Sequence, residues 1–170
     1  KLLSEVRKSG AKELEGLTLE QMSHLQSADL SKPSDKVIGT SGNSPAKEQP
    51  KRAIDNNPNS KYLNFDGEGS GLILDTAKGV VSGISLTSGN DSPERDPRSF
   101  VLSGSNDGTK FTEIAKGDIP PFKARNQAKG ISFENDNAYS KYKLTFPALS
   151  GEGKIPMQIS EVELIRKDVG

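Results

Sequence analysis

Apolar and polar side chains alternate along most of the chain from residue 62 onward. In the stretch SKYKLTFP, Tyr142, Leu144 and Phe146 fall on one face, and the lysines and threonine between them fall on the other. A period of two is typical of a β-strand with one buried face. The same alternation recurs at 84–86 and 100–102. The chain is therefore predicted to be built from strands.

Eight segments fit a strand pattern, and short stretches rich in Gly, Pro, Asn and Asp separate them. The predicted strands are Tyr62–Phe65, Leu72–Asp75, Val80–Thr87, Ser99–Ser105, Phe111–Lys116, Gly130–Glu134, Tyr139–Phe146 and Met157–Arg166. The sequence Asn106-Asp107-Gly108 favours a hairpin, because glycine tolerates the positive φ of tight turns. No stretch between strands has the length or periodicity of a crossover helix. An all-β antiparallel sandwich is predicted, with a further edge strand at 37–38.

The first 30 residues have a different pattern. Leu2, Leu3 and Val6 fit one helical face, and a second apolar stripe follows a capping box that begins at Thr18. Two short helices are predicted here. They either pack on the following domain or form the end of a preceding domain or linker.

The predicted organisation is a helical segment or linker over residues 1–34 and a β domain over residues 35–170. The single histidine, His24, lies in the first of these and is predicted to be solvated, since no second histidine or cysteine is present to complete a zinc site. The chain starts at Lys1 rather than at a methionine, which predicts a processed or excised fragment.

Charge and composition argue against two broad classes of protein. The chain has 23 Lys and Arg against 23 Asp and Glu, so its formal net charge is zero. Without a basic excess it is not predicted to bind nucleic acid. The mean hydropathy is −0.63, and no apolar run approaches the roughly 20 residues of a spanning helix, so no membrane insertion is predicted. Disulfides and thiolate zinc sites are excluded because the chain has no cysteine.

The stretch RAIDNNPNSKYLNF, residues 52–65, places small oxygen-bearing side chains directly before a predicted strand. Asp55, Asn57 and Asn59 alternate around a proline, and Ser60 closes the turn. Such a set of oxygens can hold a hard cation such as calcium without any helix. The alternative is a turn in which Asp55 and the asparagines hydrogen-bond to the main chain and no metal binds.

An EF-hand is a third interpretation of the same oxygens, with Asp66 eleven residues after Asp55. Position six of that loop would be Ser60 instead of the required glycine. The residues that follow also predict a strand rather than a helix. The EF-hand is therefore rejected.

The last predicted strand has an acidic face. Val162 and Leu164 alternate toward the core, so Glu161, Glu163 and Ile159 are predicted to share the opposite face. Glu161 is then free to point at something other than the core.

Four segments together resemble the discoidin, or coagulation factor 5/8 type C, domain family. They are AIDNNPNSKYLNF, the hairpin SFVLSGSNDGTKFTEIAKG, the strand YSKYKLTFP and the terminal MQISEVELI. The similarity covers residues 35–166, and bacterial carbohydrate-binding modules of this group are the nearest match. It implies a galactose-binding-like fold. The fold expected for this chain is an antiparallel eight-stranded jelly-roll β-sandwich with a short α-helical N-terminal appendage.

Members of this family commonly hold a structural calcium ion where the AID turn meets the last strand. The resemblance implies carboxylates from Asp55 and Glu161, together with main-chain and side-chain oxygens around them. The implied ligands are Arg52, Ala53, Asp55, Asn57, Ser60, Ser160 and Glu161. The family usually has Thr and then Trp after the turn, whereas this chain has Ser60 and Tyr62. A reshaped or weaker site is therefore predicted.

In the family, loops at one end of the sandwich bind sugars through an aromatic platform and hydrogen-bonding side chains. Two loops here have suitable chemistry, SGNDSPERDPRS and IPPFKARNQAKG. The predicted ligand-binding residues are Asn90, Glu94, Arg95, Asp96, Arg98, Phe122, Arg125 and Asn126. Alternatively, Arg95 and Asp96 brace their loop as a salt bridge and Phe122 caps the core. A third loop, GNSPAKEQP, offers Asn43, Lys47, Glu48 and Gln49.

Catalysis finds little support in the sequence. A Ser/His/Asp arrangement would have to use His24, which lies outside the predicted β domain. The stretches GEGSG and GEGK lack the spacing of a phosphate-binding loop and a following helix. No feature predicts two acids facing each other across a cleft, which is the geometry of glycosidases. The chain is predicted not to be an enzyme.

The predicted function is that of a noncatalytic carbohydrate-binding module in a larger exported bacterial protein, stabilised by one structural calcium ion. Its ligand would be a polysaccharide or glycan, and the module would be an extracellular, periplasmic or cell-surface monomer. The alternative on the same fold is a protein-interaction or adhesion module that binds a partner protein or its own parent chain. Tryptophan is absent and aromatic residues make up 5% of the chain, so the usual indole platform for sugars is missing.

Overall fold

The structure, a computed structural model, describes residues 12–14 and 29–167 of the chain. Within them it contains ten β-strands and two short 3-10 helices. The strands are β1 Lys12–Leu14, β2 Lys36–Gly39, β3 Tyr62–Asn64, β4 Gly71–Thr87, β5 Ser99–Ser105, β6 Thr112–Asp118, β7 Ala128–Ser132, β8 Ala138–Thr145, β9 Met157–Ile159 and β10 Glu161–Arg166. The 3-10 helices are Pro50–Ala53 and Pro93–Arg95.

The strands form an antiparallel β-sandwich, as predicted. The front sheet has the order β2-β4-β8-β5-β6, and the back sheet has the order β1-β7-β4-β10. β3 and β9 form a separate two-stranded ribbon. The predicted edge strand at 37–38 is confirmed as part of β2, and the predicted hairpin is confirmed as β5 and β6, joined by a six-residue loop.

β4 belongs to both sheets because it is 17 residues long. Its first part pairs with β2 and β8, and its last part pairs with β7 and β10. The prediction of two strands at 72–75 and 80–87 is therefore wrong. The register with β8 shifts between Asp75 and Gly79, so the polar residues that suggested a turn form an irregularity within a continuous strand.

The reverse error occurs at the C-terminal end. The predicted strand Met157–Arg166 is two strands, since the chain breaks at Ser160 and β9 pairs with β3 while β10 pairs with β4. The break shifts the alternation by one residue. Ile159 therefore lies in the core rather than on the face of Glu161, where it was predicted.

The core lies between the two sheets and consists of the inward-facing residues of the strands. Its largest fully buried side chains include Tyr62, Tyr142, Phe100, Phe133 and Phe146. Both tyrosines satisfy their hydroxyl groups with main-chain carbonyl oxygens, Tyr62 with Gly71 at 2.7 Å and Tyr142 with Gly79 at 2.5 Å. Burial raises the pKa of Tyr142 to about 12, so its hydroxyl stays a hydrogen-bond donor at neutral pH.

Residues just before the predicted domain boundary contact the sandwich. Leu30 is buried, and its N–H donates to the carbonyl oxygen of Leu164 at 2.7 Å. Asp29 Oδ1 accepts the N–H of Leu164 at 2.9 Å. The two predicted N-terminal helices and His24 lie outside the described residues, although β1 falls between those helices and pairs with β7. Within the described ranges, no helix has the length and hydropathy needed to cross a membrane.

Candidate functional site

The turn after the first 3-10 helix meets the start of β10. The N–H of Asn57 lies 3.0 Å from Asp55 Oδ1 and 2.9 Å from Glu161 Oε1, so it donates to both. The hydroxyl of Ser60 donates to Asp55 Oδ2 at 2.5 Å. We call these four residues the clasp. It ties two parts of the chain that are 104 residues apart in sequence.

The other implied metal ligands surround the clasp. The carbonyl oxygen of Arg52 lies 3.5 Å from Ser60 Oγ, and Ala53 follows it as a buried residue. Ser160 is buried directly before Glu161. Asp66, which only the rejected EF-hand would use, instead accepts a hydrogen bond from Asn43 Nδ2 at 2.8 Å.

The hydrogen bonds expected for a turn without a metal are also present at residues 55–59. The N–H of Asn57 bonds to Asp55, and the N–H of Asn59 bonds to Asn57 Oδ1 at 3.0 Å. Both are bonds from a side chain to the main chain two residues on, which is the pattern of an Asx turn. The turn is therefore preformed, and it holds the side chains of Asp55 and Asn57 beside Glu161 whether or not a metal binds.

Glu161 is the electrostatically unusual member of the clasp. It is only 5% exposed, and its Oε2 atom is buried with no hydrogen-bond partner among the described residues. Burial is the main cause that raises the pKa of Glu161 to about 9, and the neighbouring carboxyl group of Asp55 raises it further. Without a cation, the carboxyl group therefore holds a proton at neutral pH.

The clasp has the donor chemistry of a hard-cation site. Among the described residues, no three His, Cys, Asp or Glu side chains cluster in a metal-binding arrangement. A cation here would therefore rest on the carboxylates of Asp55 and Glu161 with amide, hydroxyl and main-chain oxygens. Calcium takes six to eight such oxygens and tolerates irregular geometry. The unpartnered Oε2 atom of Glu161 is an available ligand.

The metal-free chain should become less stable as the pH rises from about 4.5 to about 9. The folded state keeps the proton of Glu161 over this range, because its pKa is about 9 against the ordinary value of 4.5. The unfolded chain releases that proton, so the free energy of unfolding falls with each unit that the pH rises in this range. Urea denaturation with a chelator present measures the effect. Glu161→Gln should flatten the slope, and an unchanged slope in that variant would contradict the assignment.

A second group of polar residues lies next to the clasp and joins two of the predicted loops. The ammonium group of Lys61 lies 2.8 Å from Asp91 Oδ1, 3.1 Å from Asn90 Oδ1 and 3.9 Å from Glu48 Oε2. Gln158 of β9 donates to the carbonyl oxygen of Asp91 at 2.5 Å. We call these five residues the Lys61 cluster. It brings the loops at 43–49 and 88–98 to one place.

The remaining predicted loop, IPPFKARNQAKG, is attached to the loop at 88–98 by an ion pair. The guanidinium group of Arg125 makes two hydrogen bonds to the carboxylate of Asp96, at 2.9 and 2.6 Å. The salt bridge that the sequence suggested between Arg95 and Asp96 is thus formed by Arg125 instead. The hydrogen bond to Asp96 raises the pKa of Arg125, and Asp96 is only 2% exposed. Both residues are occupied in fixing two loops against each other.

Several other predicted ligand-binding residues also have structural partners. Asn126 Nδ2 donates to the carbonyl oxygen of Pro58 at 2.7 Å, which fastens its loop to the clasp turn. Arg98 Nε donates to the carbonyl oxygen of Ile119 at 3.1 Å. Glu94 is exposed, and Arg95 is partly exposed in the same 3-10 helix.

The expectation that Phe122 is an exposed platform is wrong. Phe122 is 8% exposed and belongs to the hydrophobic core, as in the alternative interpretation. Two prolines precede it in the loop. It therefore cannot stack against a ligand.

Phe65 is the exposed aromatic residue that the sequence reasoning missed. It is 54% exposed. Because Tyr62 points into the core, alternation places Lys61, Leu63 and Phe65 on the opposite face of β3 and its flanks. The N–H of Phe65 donates to the carbonyl oxygen of Asn43 at 2.9 Å. Alternation thus assigns the ring to the face of Lys61, and this signal was already present in SKYLNF.

The comparisons with known proteins identify the fold. No protein-family model matches the chain, and no curated protein matches it. Solved structures do match. The module CpGH89CBM32-5 from Clostridium perfringens, in complex with GalNAc-beta-1,3-galactose, has a TM-score of 0.66 at 18% identity, over 81% of this chain and 99% of that one. The chain has the galactose-binding-like, discoidin-like fold.

Two further Clostridium perfringens structures agree with this result. The family 32 module of NanJ, solved in complex with galactose, has a TM-score of 0.64 at 19% identity, over 81% of this chain and 97% of that one. The module CBM32-3 from a family 31 glycoside hydrolase has a TM-score of 0.72 at 15% identity, over 85% of this chain and 98% of that one. The resemblance inferred from the sequence is thus confirmed at the level of the fold.

Proposed function

We propose that this chain is a noncatalytic carbohydrate-binding module whose ligand site comprises the Lys61 cluster and Phe65. The observation that carries the proposal is the convergence of loops on this cluster, together with the exposed ring of Phe65 directly after β3. Support comes from the fold that the chain shares with modules solved in complex with galactose and with GalNAc-beta-1,3-galactose.

The chemistry of the cluster suits a sugar. Asn90 and Asp91 are exposed, so their oxygens can accept hydrogen bonds from hydroxyl groups, while Lys61 supplies donors. The ring of Phe65 offers a flat apolar surface to the C–H bonds of a sugar, in the role that an indole ring plays elsewhere. The side-chain partners of Lys61 hold these groups in place before the ligand arrives.

We also propose a calcium ion in the clasp with a structural role. Asp55 and Glu161 would provide carboxylates, Asn57 and Ser60 side-chain or main-chain oxygens, and Arg52, Ala53 and Ser160 main-chain carbonyls. Calcium would supply positive charge to two carboxyl groups that otherwise share a buried site. It would take the place of the proton on Glu161 and hold the start of β10 against the turn.

The geometry of the clasp favours a binding module over a glycosidase. Glycosidases separate their two carboxyl groups by about 5 to 9.5 Å so that a sugar, or a sugar and a water molecule, fits between them. Asp55 and Glu161 instead both accept the N–H of Asn57, and Glu161 is buried. The neighbours are modules of carbohydrate-active enzymes by name, so we infer an extracellular or cell-surface role within a larger protein.

Phe65→Ala should weaken sugar binding by about tenfold or more, since loss of the ring removes the apolar platform, an effect of about 1.4 kcal/mol. Isothermal titration of the chain with galactose, GalNAc and GalNAc-beta-1,3-galactose measures it. Asn90→Ala should also weaken binding through loss of a hydrogen bond. Phe111→Ala is the matched control, because Phe111 is a partly exposed phenylalanine directly before β6, where its ring contacts Lys143.

The proposed site is wrong if the chain binds one of these sugars and Phe65→Ala leaves the affinity unchanged. If no sugar binds, even with calcium present, the carbohydrate function itself is contradicted. Melting temperatures of all variants show whether each one is folded. Because Phe65 is half exposed, its replacement should change the melting temperature little.

A further inference from the structure

The open edge of β2 carries a cleft that the proposed sugar site does not use. It has a volume of about 340 Å³ and lies between β2, the loop after it and the first 3-10 helix. Its lining includes Val37, Ile38, Gly39, Ser41, Gln49 and Pro50. Ile38 is 52% exposed and is, with Phe65, one of two large hydrophobic side chains that the described residues expose.

The main chain of β2 has free hydrogen-bonding groups along this cleft. β2 pairs with β4 on one side, where the N–H of Thr40 donates to the carbonyl oxygen of Gly71 at 3.0 Å. Bonded and non-bonded pairs alternate in an antiparallel ladder, so the N–H and C=O groups of Val37 and Gly39 point to the other side. Within residues 29–167, nothing bonds to them.

These groups have the spacing of an unpaired strand. Val37 and Gly39 are two residues apart, so their groups repeat at about 6.8 Å, the repeat of an extended peptide. Natural edge strands are usually blocked by proline, by charged residues or by a covering segment, because an open edge recruits other strands. This edge carries one such charge, Lys36, but its other exposed residue is Ile38, an apolar residue with high strand propensity.

Exposed lysines adjoin residues that line the cleft. Lys36 adjoins Val37, while Lys47 and Lys51 flank the residues of the opposite wall, and all three lysines are exposed. None of them forms an ion pair with another described residue. Glu48, the acid of that wall, points toward Lys61 at 3.9 Å. Lys36 and Lys51, which adjoin Val37 and Pro50 of the lining, therefore offer positive charge that complements an acidic ligand.

We propose that the open edge of β2 binds an extended acidic peptide segment of a partner protein, which adds to the front sheet as a further strand. Its main chain bonds to Val37 and Gly39, an apolar side chain packs against Ile38, and acidic side chains lie near Lys36 and Lys51. This mode takes affinity from main-chain pairing and specificity from alternate side chains. A peptide matches the repeating donor and acceptor groups better than a sugar, which has no such repeat. The inference does not depend on the sugar site.

The test is a nuclear magnetic resonance titration of the 170-residue chain with a seven-residue peptide of alternating glutamate and valine. The amide signals of Val37, Ile38 and Gly39 should shift. Ile38→Glu should weaken binding about tenfold, and Lys36→Glu combined with Lys51→Glu should do so independently. Phe111→Glu is the matched control, because it places the same charge at a partly exposed aromatic residue outside both proposed sites and should leave peptide binding unchanged.

Two altered peptides separate the contribution of the acidic side chains from that of the main-chain hydrogen bonds. A peptide with lysine in place of glutamate should bind at least about tenfold more weakly, and a peptide N-methylated along one edge should lose the main-chain bonds and bind equally weakly. The proposal is overturned if the N-methylated peptide binds like the parent, if Ile38→Glu has no effect, or if no peptide binds at millimolar concentration. It is also overturned if galactose or GalNAc, rather than the peptide, shifts the signals of β2.

Discussion

Calcium is expected to raise the melting temperature of this chain by roughly 5 to 11 °C, and a chelator is expected to reverse the change. A ligand that binds only the folded state at a hundredfold excess over its Kd stabilises it by about 2.7 kcal/mol. For a domain of this size, 1 kcal/mol corresponds to roughly 2 to 4 °C. Differential scanning calorimetry with calcium and with a chelator measures the difference directly.

The clasp variants make this prediction specific. Glu161→Gln and Asp55→Asn should each remove the response to calcium, because each deletes one of two carboxylates. Glu161→Gln should at the same time match or exceed the metal-free parent in stability at neutral pH, since it removes a buried acid that ionises with difficulty. Asp66→Asn is the matched control, because Asp66 follows the same stretch but bonds to Asn43.

The calcium hypothesis fails if melting is indifferent to both calcium and chelator, or if Asp66→Asn removes the response while Glu161→Gln retains it. Elemental analysis of the purified chain is a second readout. About one calcium ion per chain is expected in the parent and none in Glu161→Gln. Because this readout needs no melting curve, it stands even if a variant unfolds early.

Arg125→Met is expected to cost about 3 kcal/mol of folding free energy. It leaves the carboxylate of Asp96 buried without its cation, and removing one partner of a buried ion pair typically costs about 3 to 5 kcal/mol. We place the effect at the lower end because the Arg125 side chain is 25% exposed, against 3% for Asp96. Urea denaturation should show a lower midpoint with an unchanged slope.

Arg95→Met provides the matched control for this ion pair. Arg95 is the immediate neighbour of Asp96 in sequence, and the sequence suggested it as the partner, yet the structure pairs Asp96 with Arg125. The control should change stability by less than about 0.5 kcal/mol. The opposite ranking of the two variants would show that Arg125 does not brace these loops.

The strand pattern could be predicted because alternation is a local property of the chain. β5, for example, was predicted with its observed bounds. Alternation does not predict which strand pairs with which. The bulge near Asp75 looked like a turn, and the sheet change at Ser160 looked like one continuous strand, because both depend on pairing between residues far apart in sequence.

The candidate site also has features that the sequence predicts and features that depend on tertiary packing. The oxygen-rich turn and Glu161 stood out in the sequence because small polar side chains and an acid interrupted strand patterns. Burial of aromatic rings did not stand out. Phe122 looked like the exposed ring because it sits in a loop, while Phe65 looked like part of a strand, and the structure reverses the two. Alternation from Tyr62 would have placed Phe65 outward, but the buried position of Phe122 depends on tertiary packing.

The length of β4 determines the order in which this domain can fold during synthesis. The back sheet requires β10, whose first residue pairs with Thr87 of β4. Those two residues are 74 residues apart in sequence, so the pairing closes a long loop late and slowly. Until β10 has left the ribosome, the last part of β4 lacks one of its two neighbours. The last part of β4 therefore lacks this neighbour until β10 is made, and the pairing of the two strands completes the back sheet.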